Sequence, residues 1–299
     1  MKELYTMARR ILITGGSGFI GSKSAMLLKR ESKNFVYSYT RKPVKDLEDN
    51  GLKMNLLHSL DVENHKKELQ DVTDLIHAAA LVPSQSNTVD NSSEFNAYIL
   101  DSLTMFRNVV SILPRLKRIV FISSCYIELD DETIGFYGTG KSINEEVVHR
   151  FARLRGIDSI SLRFPQIYGP GETHGVYINK FAQLAVSGKT IHLDEKANVK
   201  RDALYIDDAV SAIVHGLNMS GNQTITISSD MAHSVLNVAE TIKRKTGIEI
   251  TVPKLFAKNV QDQHFHSTYN VGEFRVQYSL DKGLDHTLEF YRKMKERYV

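Results

Sequence analysis

A single cysteine, Cys125, stands in a chain of 299 residues. That excludes an internal disulfide framework and argues against a cysteine-based metal site, so no metal is expected. An excess of one charge is also missing. With 38 Lys and Arg against 35 Asp and Glu the formal net charge is only +3. The basic residues are scattered rather than gathered in a stripe, so no nucleic-acid partner is expected. Long apolar runs are absent as well. The stretch Leu75–Val82 falls far short of a membrane span and is interrupted by His77. The first residues lack the apolar segment of a signal peptide. No membrane partner is expected, and a soluble cytoplasmic protein is. The rest is ordinary for a globule: 42% apolar and 24% charged residues, in a chain long enough for one large or two modest domains.

What is present begins near the N-terminus. The apolar run Ile11-Leu12-Ile13 leads into Thr14-Gly15-Gly16-Ser17-Gly18-Phe19-Ile20-Gly21, and then into a helical pattern at Ala25-Met26-Leu27-Leu28. Gly16 to Gly21 fits the spacing G-x-G-x-x-G between a strand and a helix. Such glycines turn the chain tightly, let backbone approach a pyrophosphate and let the helix pack against the strand. The helix start adds free N–H groups and a positive dipole end. The bland reading is a plain strand-to-helix connection.

Strand-like and helix-like segments then alternate. Strands are predicted at Ile11–Thr14, Phe35–Thr40, Asp74–Ala79, Ile119–Ser123 and Ser159–Phe164. Helices are predicted at Ile20–Arg30, Asp61–Leu69, Phe95–Ile112 and Ile143–Arg155. This rhythm predicts an α/β fold with a doubly wound parallel sheet. It breaks after Phe164 in a loop rich in Pro and Gly. A helix at Ile178–Ser187, a strand at Thr224–Ile227 and helices at Val235–Lys245 and Leu284–Tyr298 complete the pattern.

Two further elements carry chemistry. Tyr137 and Lys141 are four residues apart, so on a helix they share a face. A tyrosine, with a pKa of about 10, is a poor acid–base group at neutral pH. A neighbouring ammonium lowers that value, and the pair can then move a proton while a nicotinamide moves a hydride. The strand Ile119–Ser123 ends in hydroxyls, Ser123 and Ser124, where open parallel sheets bind their ligands. A surface Tyr–Lys pair and a loop-capping serine are the ordinary alternatives.

Together these elements resemble the short-chain dehydrogenase/reductase superfamily. Three later segments resemble its extended branch, the NAD-dependent epimerase/dehydratase family. They are Leu162-Arg163-Phe164-Pro165-Gln166-Ile167-Tyr168-Gly169-Pro170-Gly171, Arg201-Asp202-Ala203-Leu204-Tyr205-Ile206-Asp207-Asp208 and Tyr278-Ser279-Leu280-Asp281-Lys282-Gly283-Leu284. The resemblance implies a Rossmann domain of residues 1–164 with 202–229, and a smaller substrate-binding α/β domain of 165–201 with 230–299. It implies cofactor contacts from Thr14, Gly15, Gly18, Phe19, Ile20 and Gly21. It assigns the adenine to Asp61 and Val62, and a strand end beside the cofactor to His77, Ala78 and Ala79. Lys141 would also hold the nicotinamide ribose. Ser124, with Ser123 as the alternative, Tyr137 and Lys141 match the catalytic set. Arg201, with Ser124, would face the substrate, a nucleotide-activated sugar, unless Arg201 only pairs with Asp207 or Asp208.

Departures from the family pattern narrow the reading. No acid closes the second strand; Arg41 and Lys42 follow it, and the next acid is Asp46. Positive charge there suits the 2′-phosphate of NADP better than NAD, although NAD stays open. Cys125 and Tyr126 stand where 4,6-dehydratases carry an Asp–Glu pair, which argues against dehydration. Ser123-Ser124-Cys125 resembles GDP-fucose synthases, in which a later histidine, here His174, supplies a proton. Glu128 replaces an expected tyrosine. The expected activity is that of an NAD(P)-dependent epimerase or ketoreductase. A reductase of a non-sugar carbonyl and a non-catalytic NADP-sensing regulator are the alternatives. The oligomeric state stays open, a homodimer included.

Overall fold

The computed structural model describes residues 9–30, 34–40, 51–81, 91–129, 131–172, 174–258, 260–269 and 274–297. Arg41 and Lys42, which carry the NADP expectation, lie outside these residues.

Strand Arg10–Thr14 holds Ile11, Leu12 and Ile13, all fully buried. Strands Asp74–His77 and Arg118–Ser124 are nearly as continuous in their burial. Strands apolar on both faces need cover on both faces, as in a parallel sheet between helices. A seven-stranded sheet results. Its order runs from Asn222–Thr226 through Asp158–Phe164, Arg118–Ser124, Asp74–His77, Arg10–Thr14 and Phe35–Thr40 to Gly51–Lys53. Arg10–Thr14 pairs in parallel with Phe35–Thr40 on one side and Asp74–His77 on the other. The winding therefore reverses at this strand, which opens a crevice beyond its carboxyl end. This is a Rossmann-type α/β fold. Its core gathers Leu12, Leu75, Phe106, Val109, Ile119 and Phe121. Each fully buried side chain of this size contributes about 1.5–3 kcal/mol.

Register places the chemistry. Thr14 lies opposite His77, and His77 opposite Phe121, so two strand ends are level and the third strand runs on three residues to Ser124. Helix Asp131–Arg155 runs beside them and is broken at Gly135, whose φ of 48° and ψ of −157° are not helical. It begins well before the predicted Ile143, because Gly138 and Gly140 read as turn residues. The predicted helix Asp61–Leu69 is two short helices, Ser59–Glu63 and Lys66–Leu69, whose buried residues are Val62 and Leu69. The edge strand Gly51–Lys53, only three residues long, was invisible to periodicity.

Residues 1–163 with 210–225 form one compact unit, and 164–209 with 226–299 a second. Within the second, helix Val235–Thr246 is capped at both ends. Ser234 Oγ accepts from Asn237 N, and Gly247 is left-handed. Short strand pairs join Gln166–Tyr168 to Ala203–Tyr205 and Lys200–Arg201 to His233–Ser234. No helix among the described residues is long and apolar enough to cross a membrane.

Candidate active site

The glycine turn is a tight cradle. Gly15 has φ +70°, and a Cβ there would lie 2.8 Å from backbone atoms of Ala78 and Ala79. A Cβ on Gly21 would lie 2.3 Å from the Gly15 carbonyl, and one on Gly18 3.1 Å from it. Gly18 N donates to that same carbonyl at 2.9 Å. Phe19 and Gly21 are buried and Ile20 is half-buried. Helix Phe19–Arg30 has no acid in its first turn, so nothing opposes its positive end. A backbone cradle without side chains, at a helix start and at the sheet's switch point, fits a dinucleotide pyrophosphate.

Thr14 and His77 brace this turn. Thr14 Oγ1 is hydrogen-bonded to His77 Nδ1 at 2.9 Å and accepts from Ala79 N at 3.2 Å. The His77 ring lies in the core, stacked on Phe121 and edge-on to Phe106. Burial, and then the charge of Lys141, push its pKa down to about 3, so it stays neutral. Its side chain supports the turn, while Ala78 and Ala79 supply the backbone packed against Gly15.

The expected adenine pair, Asp61 and Val62, lies on the short helix Ser59–Glu63. Val62 is buried in the core, and its N–H is committed to the His58 carbonyl at 3.1 Å. The Asp61 carboxylate accepts from Asn55 N at 2.6 Å. Beyond the edge strand Gly51–Lys53 and the buried Met54 comes Asn55, whose Oδ1 accepts from Leu57 N at 3.1 Å. Sequence reasoning passed over Asn55 because the three-residue strand before it was not recognised.

The catalytic candidates converge in the first unit. Ser124 closes its strand and caps the turn Cys125–Glu128, its Oγ accepting from Tyr126 N at 3.2 Å. Ser124 lies close enough to the Tyr137 phenol to draw its pKa down. Ser123 Oγ is buried without a partner, as expected where successive strand residues face opposite ways. Cys125 is fully buried. Lys141 shares the helix face of Tyr137, yet its Nζ donates to the Ile122 carbonyl at 2.7 Å. It lies 5.1 Å from the Phe121 ring centre and 5.9 Å from that of Tyr137. Burial holds the ammonium down at about 8, opposed by Glu145. Burial also raises the Tyr137 phenol to about 12; Tyr126 and Tyr98 add to this and Ser124 opposes it. The expected lowering of the phenol by Lys141 is therefore not present in this arrangement.

Several neighbours were not singled out from sequence. Glu145, one helical turn beyond Lys141, makes a two-point ion pair with Arg163 at 2.9 and 2.7 Å. Arg163 also reaches Glu128, on the turn after Ser124, at 3.3 Å. The i, i+4 spacing of Lys141 and Glu145 was the available signal. Tyr98 meets the Tyr137 ring edge-on at 5.7 Å.

In the second unit, Arg201 pairs in register with His233. Its guanidinium lies 5.7 Å from the Tyr177 ring centre, and its Nε is buried without a partner. Asp208 accepts instead from Gln277 N and Tyr278 N, and among the described residues no ion pair joins Arg201 to Asp207 or Asp208. His174 is exposed, its backbone N held by Glu172.

Over residues 11–228 the sequence matches the NAD dependent epimerase/dehydratase family. The chain belongs to this family. It is thereby an extended short-chain dehydrogenase/reductase, from a family of enzymes acting on nucleotide sugars. Among curated relatives, the UDP-N-acetyl-alpha-D-glucosaminuronate decarboxylase of Bacillus cytotoxicus is 26% identical over 96% of this chain and 99% of its own. Among solved structures, the UDP-glucose 4-epimerase of Thermotoga maritima with UDP-glucose superposes with a TM-score of 0.81. It is 23% identical, covering 96% of this chain and 99% of that one. The Thermus thermophilus UDP-glucose 4-epimerase complex with NAD gives a TM-score of 0.79 at 19% identity, with 95% and 99% covered. At these identities the structural likeness shows the fold of the family member.

Proposed function

We propose that the chain is an NAD(P)-dependent epimerase or ketoreductase of a nucleotide-activated sugar, with epimerisation favoured. The carrying observation is the Tyr137 phenol with Lys141 5.9 Å from its ring centre and Ser124 close by, in the same unit as the glycine cradle. The bound nicotinamide supplies the hydride acceptor and donor. Tyr137 takes the proton of a sugar hydroxyl as the hydride leaves the same carbon, and returns it when the ketone is reduced. Ser124 orients that oxygen. A phenol near 12 needs added positive charge to do this at neutral pH, and Lys141 is the cation at hand. Asn55 is proposed for the adenine end. Arg201, a planar fork without an ion pair among the described residues, is proposed for the substrate diphosphate.

UDP-sugars are favoured because the Thermotoga maritima neighbour is a UDP-glucose 4-epimerase. NAD is favoured by the Thermus thermophilus complex, and NADP by Arg41 and Lys42. Competition titration of NADH against NADPH, repeated with Arg41→Ala, decides between them. The reaction is tested by incubating the protein with NAD or NADP and UDP-hexoses, UDP-N-acetylhexosamines or UDP-hexuronic acids, followed by proton NMR. The expected result is an epimerised sugar without net cofactor reduction. Turnover of simple aldehydes or ketones, and of no nucleotide sugar, would favour the non-sugar carbonyl reductase instead.

A further inference from the structure

The helix that crosses the catalytic one is not regular. It runs from Asn91 to Ser111, and Asn96–Asp101 is wound as a π-helix. Such stretches widen a helix by one residue per turn and displace the side chains they carry. Here the displaced turn carries Tyr98 onto the helix of Tyr137. The two phenol rings meet edge to face at 5.7 Å and 87°, and one turn earlier Phe95 meets Phe136 at 5.7 Å and 88°.

This turn is pinned. The single Ser102 hydroxyl proton is shared between the carbonyls of Tyr98 at 2.6 Å and Ile99 at 2.9 Å, which compensates for the altered backbone pattern. Asn144 Nδ2, on the catalytic helix, donates to Ser102 Oγ and to the Gly140 carbonyl, both at 2.8 Å. Position 140 itself tolerates only glycine. A Cβ there would lie 2.1 Å from the Tyr98 carbonyl oxygen and 2.8 Å from its carbon. Gly140 thus leaves the gap into which the π-turn fits, next to Lys141 and three residues from Tyr137.

We infer that Tyr98 is a positioning residue for Tyr137: its ring, set by the π-turn and admitted by Gly140, fixes the direction of the Tyr137 phenol beside Ser124. The ring does this work, not its hydroxyl, because the contact is ring edge to ring face. Edge-to-face pairs favour this geometry beyond simple burial. Without it the phenol is free to swing into the cleft that Tyr98, Ala80 and Leu81 line with it.

The test reads ring position directly. The protein is labelled with 3-fluorotyrosine, and Tyr137 is assigned by the resonance lost in Tyr137→Phe. Tyr98→Ala should move the Tyr137 fluorine signal to an averaged, solvent-like shift, and Tyr98→Phe should leave it in place. Gly140→Ala, which displaces the π-turn and touches neither ring, should act like Tyr98→Ala. NADH affinity by fluorescence should stay within twofold in Tyr98→Ala and Tyr98→Phe, showing an intact cradle. The kinetic arm rests on the proposed acid–base role. With the UDP-sugar identified by NMR, Tyr98→Ala should lower kcat at least tenfold with KM within threefold, and Tyr98→Phe should restore it. An unmoved Tyr137 resonance in Tyr98→Ala, or a Tyr98→Phe protein as defective as Tyr98→Ala, would overturn the inference. If no nucleotide sugar is turned over, the function reading fails while the fluorine result still decides the positioning.

Discussion

The ammonium of Lys141 sits 5.9 Å from the centre of the Tyr137 ring and gives its hydrogen bond to the Ile122 carbonyl, not to the phenol. Two groups on one helix face thus share a cleft without being bonded. Each is held away from its ordinary pKa by burial, the lysine down to about 8 and the tyrosine up to about 12. Perturbed values of this kind, on two groups lining one cleft, mark a candidate functional site.

Removing the phenol oxygen should therefore separate chemistry from binding. Tyr137→Phe is expected to lower turnover by about 10²–10⁴-fold, the range of a lost general acid–base, with NADH affinity within about twofold. Ser124→Ala should cost more turnover than Ser123→Ala, because of the two serines only Ser124 acts on the phenol. Steady-state kinetics and fluorescence titration check both, and substantial activity in Tyr137→Phe removes the tyrosine from the mechanism.

Lys141 should make the fold less stable at neutral pH. Its folded pKa, about 8, lies below its ordinary value of 10.5. Between the two the unfolded chain holds a proton that the folded chain has released, so stability rises with pH through this window. Below about 8 both states are charged and the fold bears the whole cost. Lys141→Met should therefore melt higher than the wild type at about pH 7, with the difference shrinking as the pH rises towards the ordinary lysine value, while turnover is lost. Melting curves of both proteins across that range test the sign.

Arg163 should tie the Lys141 helix to the turn after Ser124. Arg163→Met leaves the buried Glu145 without its half-buried partner, which costs about 1–3 kcal/mol, less than for a fully buried pair. Arg163→Met with Glu145→Gln should recover much of that loss. Urea denaturation of the single and double variants measures it. A single variant as stable as the wild type would show that Glu145 is held by other means.

The cradle should rank its glycines by clash. Gly21→Ala puts a Cβ 2.3 Å from the Gly15 carbonyl, whereas Gly18→Ala meets the same oxygen at 3.1 Å. NADH binding should weaken at least tenfold in Gly21→Ala and distinctly less in Gly18→Ala. Equal affinities would mean that the turn relaxes.

Much of the first unit was legible because its signals are local. Ile11-Leu12-Ile13 before a glycine turn, Tyr137 one turn from Lys141, and a strand ending at Ser124 each need only a short window. What stayed hidden needed distance. Asn55 follows a strand of three residues, too short for any periodicity. Gly140 reads as a turn residue until Tyr98, far away in sequence, is seen to occupy the space above it. The raised Tyr137 pKa is set by burial among Tyr126, Tyr98 and Ser124, and no spacing rule contains burial. Arg201 drew attention through a motif, but its guanidinium over the Tyr177 ring and its buried, unpartnered Nε are tertiary facts.

Cys125 follows Ser124 directly, is fully buried, and is the chain's sole thiol. The protein thus carries a native chemical clock beside its candidate catalytic serine. Any reagent that labels the thiol must wait for the turn Cys125–Glu128 to open, and no other sulfhydryl contributes background. The labelling rate, read with and without nucleotide or cofactor, measures how often that turn breathes in the unmodified chain.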